Sequence, residues 1–177
     1  MKTYDCIIIG GGPAGRIIVH ALHEAQAGTS VLLVKTEETN VNRCAVPYGI
    51  DGRKPIEEYR YRNTIVTHFG ADLVIDEVVS LDRDRNVIRT AGGEDFGYNT
   101  LVLATGSTPI RPPIPGVDSQ NVLQVRSYTD LGALREQAAK VRKAVVVGGG
   151  FIGVEVAVSL RTMGLQAVIV ELMPHLL

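Results

Sequence analysis

Two stretches of the chain repeat one pattern. Residues 4–9 are an apolar run that ends in Gly10-Gly11-Gly12-Pro13-Ala14-Gly15 and gives way to a helical spacing. Residues 143–147 end in Gly148-Gly149-Gly150-Phe151-Ile152-Gly153 and do the same. Apolar runs of this length, closed by glycine, predict strands buried on both faces, as in a parallel sheet. After the first run, Ala14, Ile17, Ile18, Ala21, Leu22 and Ala25 form one apolar stripe, closed by Gly28. After the second, Ile152, Val156, Leu160 and Met163 form the stripe and Gly164 ends it. Strands are predicted next at 31–35 and 167–171, so each half reads β, glycine loop, α, β.

Between the halves the texture changes. Residues 71–81, 86–90 and 94–98 are short runs rich in β-branched residues, punctuated by Asp82-Arg83-Asp84-Arg85 and Ala91-Gly92-Gly93. They predict a small antiparallel meander. Residues 101–105 predict another buried strand running into Gly106. Four prolines within 109–115 exclude helix and central strand there, which makes this stretch a stiff linker. The expected domains are 1–115 and 116–177. Ser127-Tyr128-Thr129-Asp130 resembles a capping box and starts a helix predicted to run to about Val141. Residues 57–62, after Pro55, read as a solvated helix face.

Composition narrows the classes. Lys plus Arg is 18 and Asp plus Glu is 19 in 177 residues, a net charge of −1 that offers no electrostatic footprint for nucleic acid or an anionic membrane. Two cysteines, Cys6 and Cys44, cannot staple a secreted scaffold. The N-terminal apolar run is too short for a signal peptide, and no run approaches the roughly 18 residues that span a bilayer. A cytoplasmic protein is expected. His20, His23, His68 and His175 have no metal-ligand spacing, and no metal is expected.

The glycine loops carry the chemistry. In a G-x-G-x-x-G turn between strand and helix, the first glycine makes the turn and the second admits a pyrophosphate. The third lets the helix pack close to the sheet. Gly10, Gly12 and Gly15 fit, as do Gly148, Gly150 and Gly153. An acid about 20 residues on accepts from the ribose hydroxyls. Glu171, 23 residues after Gly148, fits that place and favours NADH over NADPH, because a 2′-phosphate would be repelled. In the first half Lys35 stands there instead. A lysine cannot accept a hydrogen bond, and losing charge-assisted bonds of this kind costs roughly 1.5–3 kcal/mol. Glu37 or Glu38 offers a substitute.

Cys44 lies in Asn42-Arg43-Cys44-Ala45-Val46-Pro47-Tyr48-Gly49. Arg43 beside it favours the thiolate, the reactive form; read alone, however, a loop cysteine more often has no role. Cys6, on a buried strand, is structural. Together the motifs at 10–15, 44–48, 98–106 and 148–155 resemble, in order, the FAD- and NAD(P)-dependent pyridine nucleotide-disulfide oxidoreductases. The single cysteine followed by Pro-Tyr is similar to the one-cysteine branch, which includes coenzyme A-disulfide reductases and NADH oxidases and peroxidases.

The resemblance implies an α/β, Rossmann-like FAD/NAD(P)-binding fold with a small meander, followed by the start of a second such unit. It implies that Gly10, Gly12, Pro13, Ala14 and Gly15 hold the FAD pyrophosphate, with Lys35 and Arg43 also on the cofactor. Ala104, Thr105 and Gly106 would line the flavin, and Val78 would lie near its adenine. Gly148, Gly150, Ile152 and Gly153 would hold NADH, with Phe151 gating the nicotinamide, Glu155 near the flavin–nicotinamide contact and Glu171 on the ribose. Cys44 would be the redox-active sulfur, passing electrons to a small-molecule disulfide, polysulfide or peroxide, or to oxygen. Coenzyme A itself as substrate fits poorly, because 20–24 reads His-Ala-Leu-His-Glu where its phosphates would want a cation. The chain covers an N-terminal portion of the family's length, and the full-length form would be a homodimer. Two other readings stand beside this one: a nucleotide-binding module without a complete catalytic site, and a reductase that passes electrons to an iron protein without using Cys44.

Overall fold

The computed structural model describes residues 1–25 and 28–177. In chain order its elements are β1 (Lys2–Ile9), α1 (Pro13–Ala25), β2 (Val31–Lys35), β3 (Asn40–Val41), α2 (Val46–Gly49), β4 (Arg60–Tyr61), α3 (Thr64–His68), β5 (Asp72–Ile75), β6 (Val78–Asp82), β7 (Val87–Thr90), β8 (Asp95–Leu103), α4 (Tyr128–Ala138), β9 (Lys143–Val147), α5 (Phe151–Thr162) and β10 (Gln166–Val170). Short 3₁₀ turns occupy Arg43–Ala45 and Ile56–Tyr59. The chain divides into two compact units, one of residues 1–40 and 62–107, the other of 41–61 and 108–177.

The first unit is a six-stranded sheet in the order β5-β2-β1-β8-β7-β6. The pairs β1–β2, β1–β8 and β2–β5 are parallel, whereas β6–β7 and β7–β8 are antiparallel. Cores form on both faces of the parallel strands. Tyr4, Ile7, Leu32, Val34 and Ile88 cluster on one side. Cys6, Ile8, Val19 and Leu33 cluster on the other, with Val66 and Ala71. This is why residues 4–9 and 31–35 read as near-continuous apolar runs.

The expected meander exists, but its boundaries move. The run 71–81 is two strands. Asp76 breaks it by accepting from the Gly92 and Glu77 amides, at 2.8 and 2.7 Å, so β5 joins β2 in the parallel sheet and only β6 turns into the meander. The runs 94–98 and 101–105 are instead one strand, β8. Asn99 and Thr100, which look like a break, are exposed positions within it, and Asn99 donates to Asp5. β8 therefore serves as the last meander strand and as the parallel partner of β1.

The α1 stripe is rotated from its expected phase, whereas the α5 stripe holds at all but its first position. In α1 the covered positions are Gly15, Ile18, Val19 and Leu22, while Ile17 is 66% exposed and Ala14, Ala21 and Ala25 are exposed. A Cβ on Gly15 would lie 2.0 Å from Gly10 O, so this glycine marks the line of closest approach to β1 and sets the phase. In α5 Val156 and Leu160 are buried and Met163 packs on the same core, as expected, with Ala157 and Ser159 buried beside them; Ile152 is exposed, and Gly153 makes the close approach to the strand turn instead. Glycine counts as neither apolar nor polar in a hydrophobic periodicity, so the expected α1 stripe falls one residue from the buried one.

In the second unit β9 and β10 pair in parallel as a two-stranded sheet. The expectation that these strands are buried on both faces does not hold. Ala144, Val146 and Ala167 pack on the core with Val156 and Leu160, while Val145, Val147, Val168 and Val170 are exposed. Only one face has α5 over it. α4 starts as expected at Ser127, whose side chain accepts from the Asp130 amide while Asp130 accepts from the Ser127 amide, and it ends at Ala138. Residues 57–62 are not a helix face: a 3₁₀ turn runs into β4, and Arg60 and Arg135 lie over the rings of Tyr128 and Tyr59. Residues 109–115 form neither helix nor strand. Among the described residues no helix is long and apolar enough to cross a membrane.

Candidate functional site

The strand order places a crevice. From β1 the chain moves outward to β2 and β5 on one side and then returns through β6 and β7 to β8 on the other, so the strand order reverses between the parallel neighbours β1 and β8. Ligands of open α/β sheets bind at such a switch point. Gly10 stands there with φ +116°, and a Cβ on it would come within 2.2 Å of the Ala104 carbonyl oxygen. Ala104, whose amide donates to Ile9 O at 2.8 Å, therefore flanks the same crevice, and Thr105 and Gly106 follow it, exposed. A Cβ on Gly12 would meet nothing within 4 Å, while Pro13 and Ala14 are exposed at the head of α1. The first turn thus has a tight glycine, an open glycine and a packing glycine in the order a pyrophosphate seat requires.

The second turn repeats this geometry in the other unit. Gly148 has φ +105°, Gly150 has open space around it, and a Cβ on Gly153 would lie 2.0 Å from Gly148 O. Gly150 is the N-cap of α5 and no side chain caps the helix, which leaves its first amides to an anionic ligand. Phe151 and Ile152 are exposed at this helix start. Glu171 accepts from the Gly149 amide at 2.5 Å through Oε2 and from the Met173 amide at 2.8 Å through Oε1. A carboxylate has about four acceptor positions, so capacity for ribose hydroxyls remains.

These bonds, that to Met173 foremost, hold Glu171 below the usual carboxylate value of 4.5. Because the folded value is depressed, the bonds are complete above pH 4.5 and are lost as pH falls through the lower folded value. The amide resonances of Gly149 and Met173 are expected to titrate together, with a midpoint below 4.5, and to stay flat in Glu171→Gln.

Lys35 does not sit as an open ligand contact. It is 5% exposed, and its Nζ donates to Asn63 Oδ1 at 2.6 Å and Glu38 O at 3.2 Å. Burial, ahead of its charged neighbours, pushes its amine down from the usual lysine value. Its stem crosses Gly11, where a Cβ would meet Lys35 Cδ at 2.5 Å, and Asn40 Nδ2 donates to Gly11 O at 2.7 Å. Lys35, Asn40 and Asn63 therefore clamp the glycine turn to the loop after β2. Asn40 and Asn63 were not legible as site residues, since 28 residues separate Lys35 from Asn63 and no local pattern links them. Val78 opens β6, packed on the sheet core; the turn before it lies against the end of β2, where the Asp76 amide donates to Lys35 O at 2.9 Å.

Cys44 is exposed in the 3₁₀ turn Arg43–Ala45, whereas Cys6 is buried, and burial pushes its thiol up. In the same unit the Tyr48 hydroxyl donates to Glu155 on α5. In the sequence Tyr48 stands out only as part of a motif, and its partner, 107 residues away, has no sequence signal. His20, His23 and His68 surround the Phe69 ring, with centroids 4.6, 5.3 and 5.3 Å away. Among the described residues no group of three or more His, Cys, Asp or Glu is placed to hold a metal.

Residues 4–177 match the family model for pyridine nucleotide-disulphide oxidoreductases. The chain belongs to this family. Members use FAD with NADH or NADPH. An NADH oxidase of Methanocaldococcus jannaschii is 31% identical over 188 residues, covering 97% of this chain and 41% of its own length. A CoA-dependent NAD(P)H sulfur oxidoreductase of Pyrococcus abyssi is 32% identical over 165 residues, covering 89% of this chain and 37% of its own. Among solved structures, a ferredoxin reductase of Rhodopseudomonas palustris superposes with a TM-score of 0.89 at 29% identity, covering 97% of this chain and 44% of that one. The chain thus spans less than half the length of each of these relatives. The α/β, Rossmann-like fold expected from the sequence is the fold of this family.

Proposed function

We propose that this chain carries the FAD seat and the beginning of the NADH seat of a one-cysteine flavoprotein oxidoreductase. The observation that supports it is the pair of glycine turns, one in each unit, with matching positive φ, open middle glycine and 2.0 Å helix approach. The residues present fit the cofactors: Gly10, Gly12 and Gly15 for one diphosphate, Gly148, Gly150 and Gly153 for the other, and Glu171 for a ribose without a 2′-phosphate. When bound, FAD supplies acceptance of a hydride from NADH and onward passage of the electron pair.

Cys44 supplies the sulfur chemistry in this reading. Its thiolate attacks a small-molecule disulfide or polysulfide, a new S–S bond forms, and one substrate thiolate leaves. The electron pair delivered from NADH then cleaves that bond to the Cys44 thiolate and a second substrate thiol, with the proton drawn from water. One NADH and one proton are consumed for two thiols formed. The name of one relative, a CoA-dependent NAD(P)H sulfur oxidoreductase, supports a sulfur acceptor. The test is spectroscopic. The purified chain, reconstituted with excess FAD and desalted, is expected to retain a flavin band that NADH bleaches without oxygen. A chain that retains no flavin, or whose flavin NADH leaves oxidised, overturns the reading.

A further inference from the structure

The two glycine turns are built alike and differ in one charge. In each, the residue between the tight and the open glycine is itself a glycine, because the side chain at the end of the following strand lies across it. A Cβ on Gly11 would meet Lys35 Cδ at 2.5 Å and Asn40 Nδ2 at 2.8 Å. One on Gly149 would meet a methyl of Leu176 and, at 3.2 Å, Glu171 Oε2. Each middle carbonyl is also capped. Asn40 Nδ2 donates to Gly11 O at 2.7 Å, and the Leu177 amide donates to Gly149 O at 3.0 Å. The difference lies in the middle amide. Glu171 accepts from the Gly149 amide, which uses that donor and sets a carboxylate against the turn. Lys35 accepts nothing. It leaves the Gly11 amide to another acceptor and puts an ammonium behind the turn, buried and held on Asn63 Oδ1 and Glu38 O.

We propose that this inversion sorts the two seats: Lys35 makes the first turn the tighter anion seat, suited to a dinucleotide that stays bound, and Glu171 makes the second the weaker one, suited to a dinucleotide that exchanges. The inference rests on the reading of the two turns as an FAD seat and an NADH seat, and deepens it. A diphosphate is drawn to backbone amides and to positive charge, and a carboxylate bound to the same amides repels it. The charged groups facing Lys35 are Arg16 from α1 and Glu37 and Glu38 from the loop after β2. Asp76, in the turn after β5, donates its amide to Lys35 O but turns its carboxylate to the Gly92 and Glu77 amides. Two cations and two carboxylates therefore stand behind the first turn, against a carboxylate bound directly to the second. Affinity differences between related sites fall mostly on the dissociation rate, which is what separates a resident cofactor from a co-substrate.

The experiment is titration of the whole chain with inorganic pyrophosphate, followed by nuclear magnetic resonance. The α-carbon resonances of Gly11 and Gly12 report the first turn, and those of Gly149 and Gly150 the second, in one sample. At neutral pH the first turn is expected to bind about five- to tenfold more tightly. Lys35→Met, which keeps the stem and removes the charge, is expected to abolish that margin without moving the second turn. Glu171→Gln is expected to narrow it from the other side. Burial pushes the Lys35 amine below its ordinary value of 10.5, and the ammonium is present only below that lowered value. The margin of the parent chain is therefore expected to shrink as pH rises towards 10.5, and to show no such step in Lys35→Met. Comparing two turns in one sample cancels the titration of the probe itself. A purely structural role for Lys35 would weaken the first turn equally at every pH, and that result overturns the proposal. So does equal affinity at both turns of the parent chain, or a margin that Lys35→Met leaves intact. Should Lys35→Met fail to fold, the parent margin, its pH profile and Glu171→Gln decide the matter. No flavin, NADH or disulfide enters this measurement, so its failure is distinct from a failure of the flavoprotein reading.

Discussion

Gly10→Ala is expected to destabilise the first unit by about 2–6 kcal/mol, from strain at positive φ of about 1–3 kcal/mol and overpacking of similar size. The backbone there has φ +116°, and the new methyl would fall 2.2 Å from the Ala104 carbonyl oxygen, in a residue whose own amide is bound to Ile9 O. Neither partner can give way without parting the two central strands. Urea denaturation checks the size of the loss, and an unchanged midpoint would contradict the geometry at the switch point. Gly12→Ala is the informative contrast. Its methyl meets nothing within 4 Å, so stability is expected to stay within about 0.5 kcal/mol. The same methyl fills the space a pyrophosphate would enter, and FAD retention is expected to fall at least tenfold. Fold and ligand seat are thereby separated two residues apart.

Cys44→Ser is expected to lower NADH-dependent reduction of small disulfides by at least 100-fold, about 2.7 kcal/mol of barrier, because a serine hydroxyl forms no S–S bond. Flavin bleaching by NADH should survive, since neither glycine turn contains Cys44. Stopped-flow absorbance separates the two steps. Equal disulfide turnover in parent and variant would remove the cysteine from the reaction. Retained electron transfer to a ferredoxin would then favour the iron-protein reading.

Much of this protein is written locally. Glycine is the residue that tolerates φ +116° at Gly10 and +105° at Gly148 and a 2.0 Å helix approach at Gly15 and Gly153, so both turns announced themselves by composition and spacing. The β–turn–α–β units, the Ser127–Asp130 cap and the strands of the meander followed from short-range rules of the same kind. What the sequence could not decide was anything that depends on a partner far along the chain. Whether residues 94–103 are one strand or two is settled by the pairing of β8 with β1. Which face of α1 is buried is settled by the strand beneath it. The lysine at the end of β2 becomes a clamp only because Asn63 and the Glu38 carbonyl stand within reach. Tyr48 acquires meaning only through Glu155. Backbone conformation is a property of one residue and its neighbours, whereas side-chain partnership is created by folding, and only the tertiary structure supplies it.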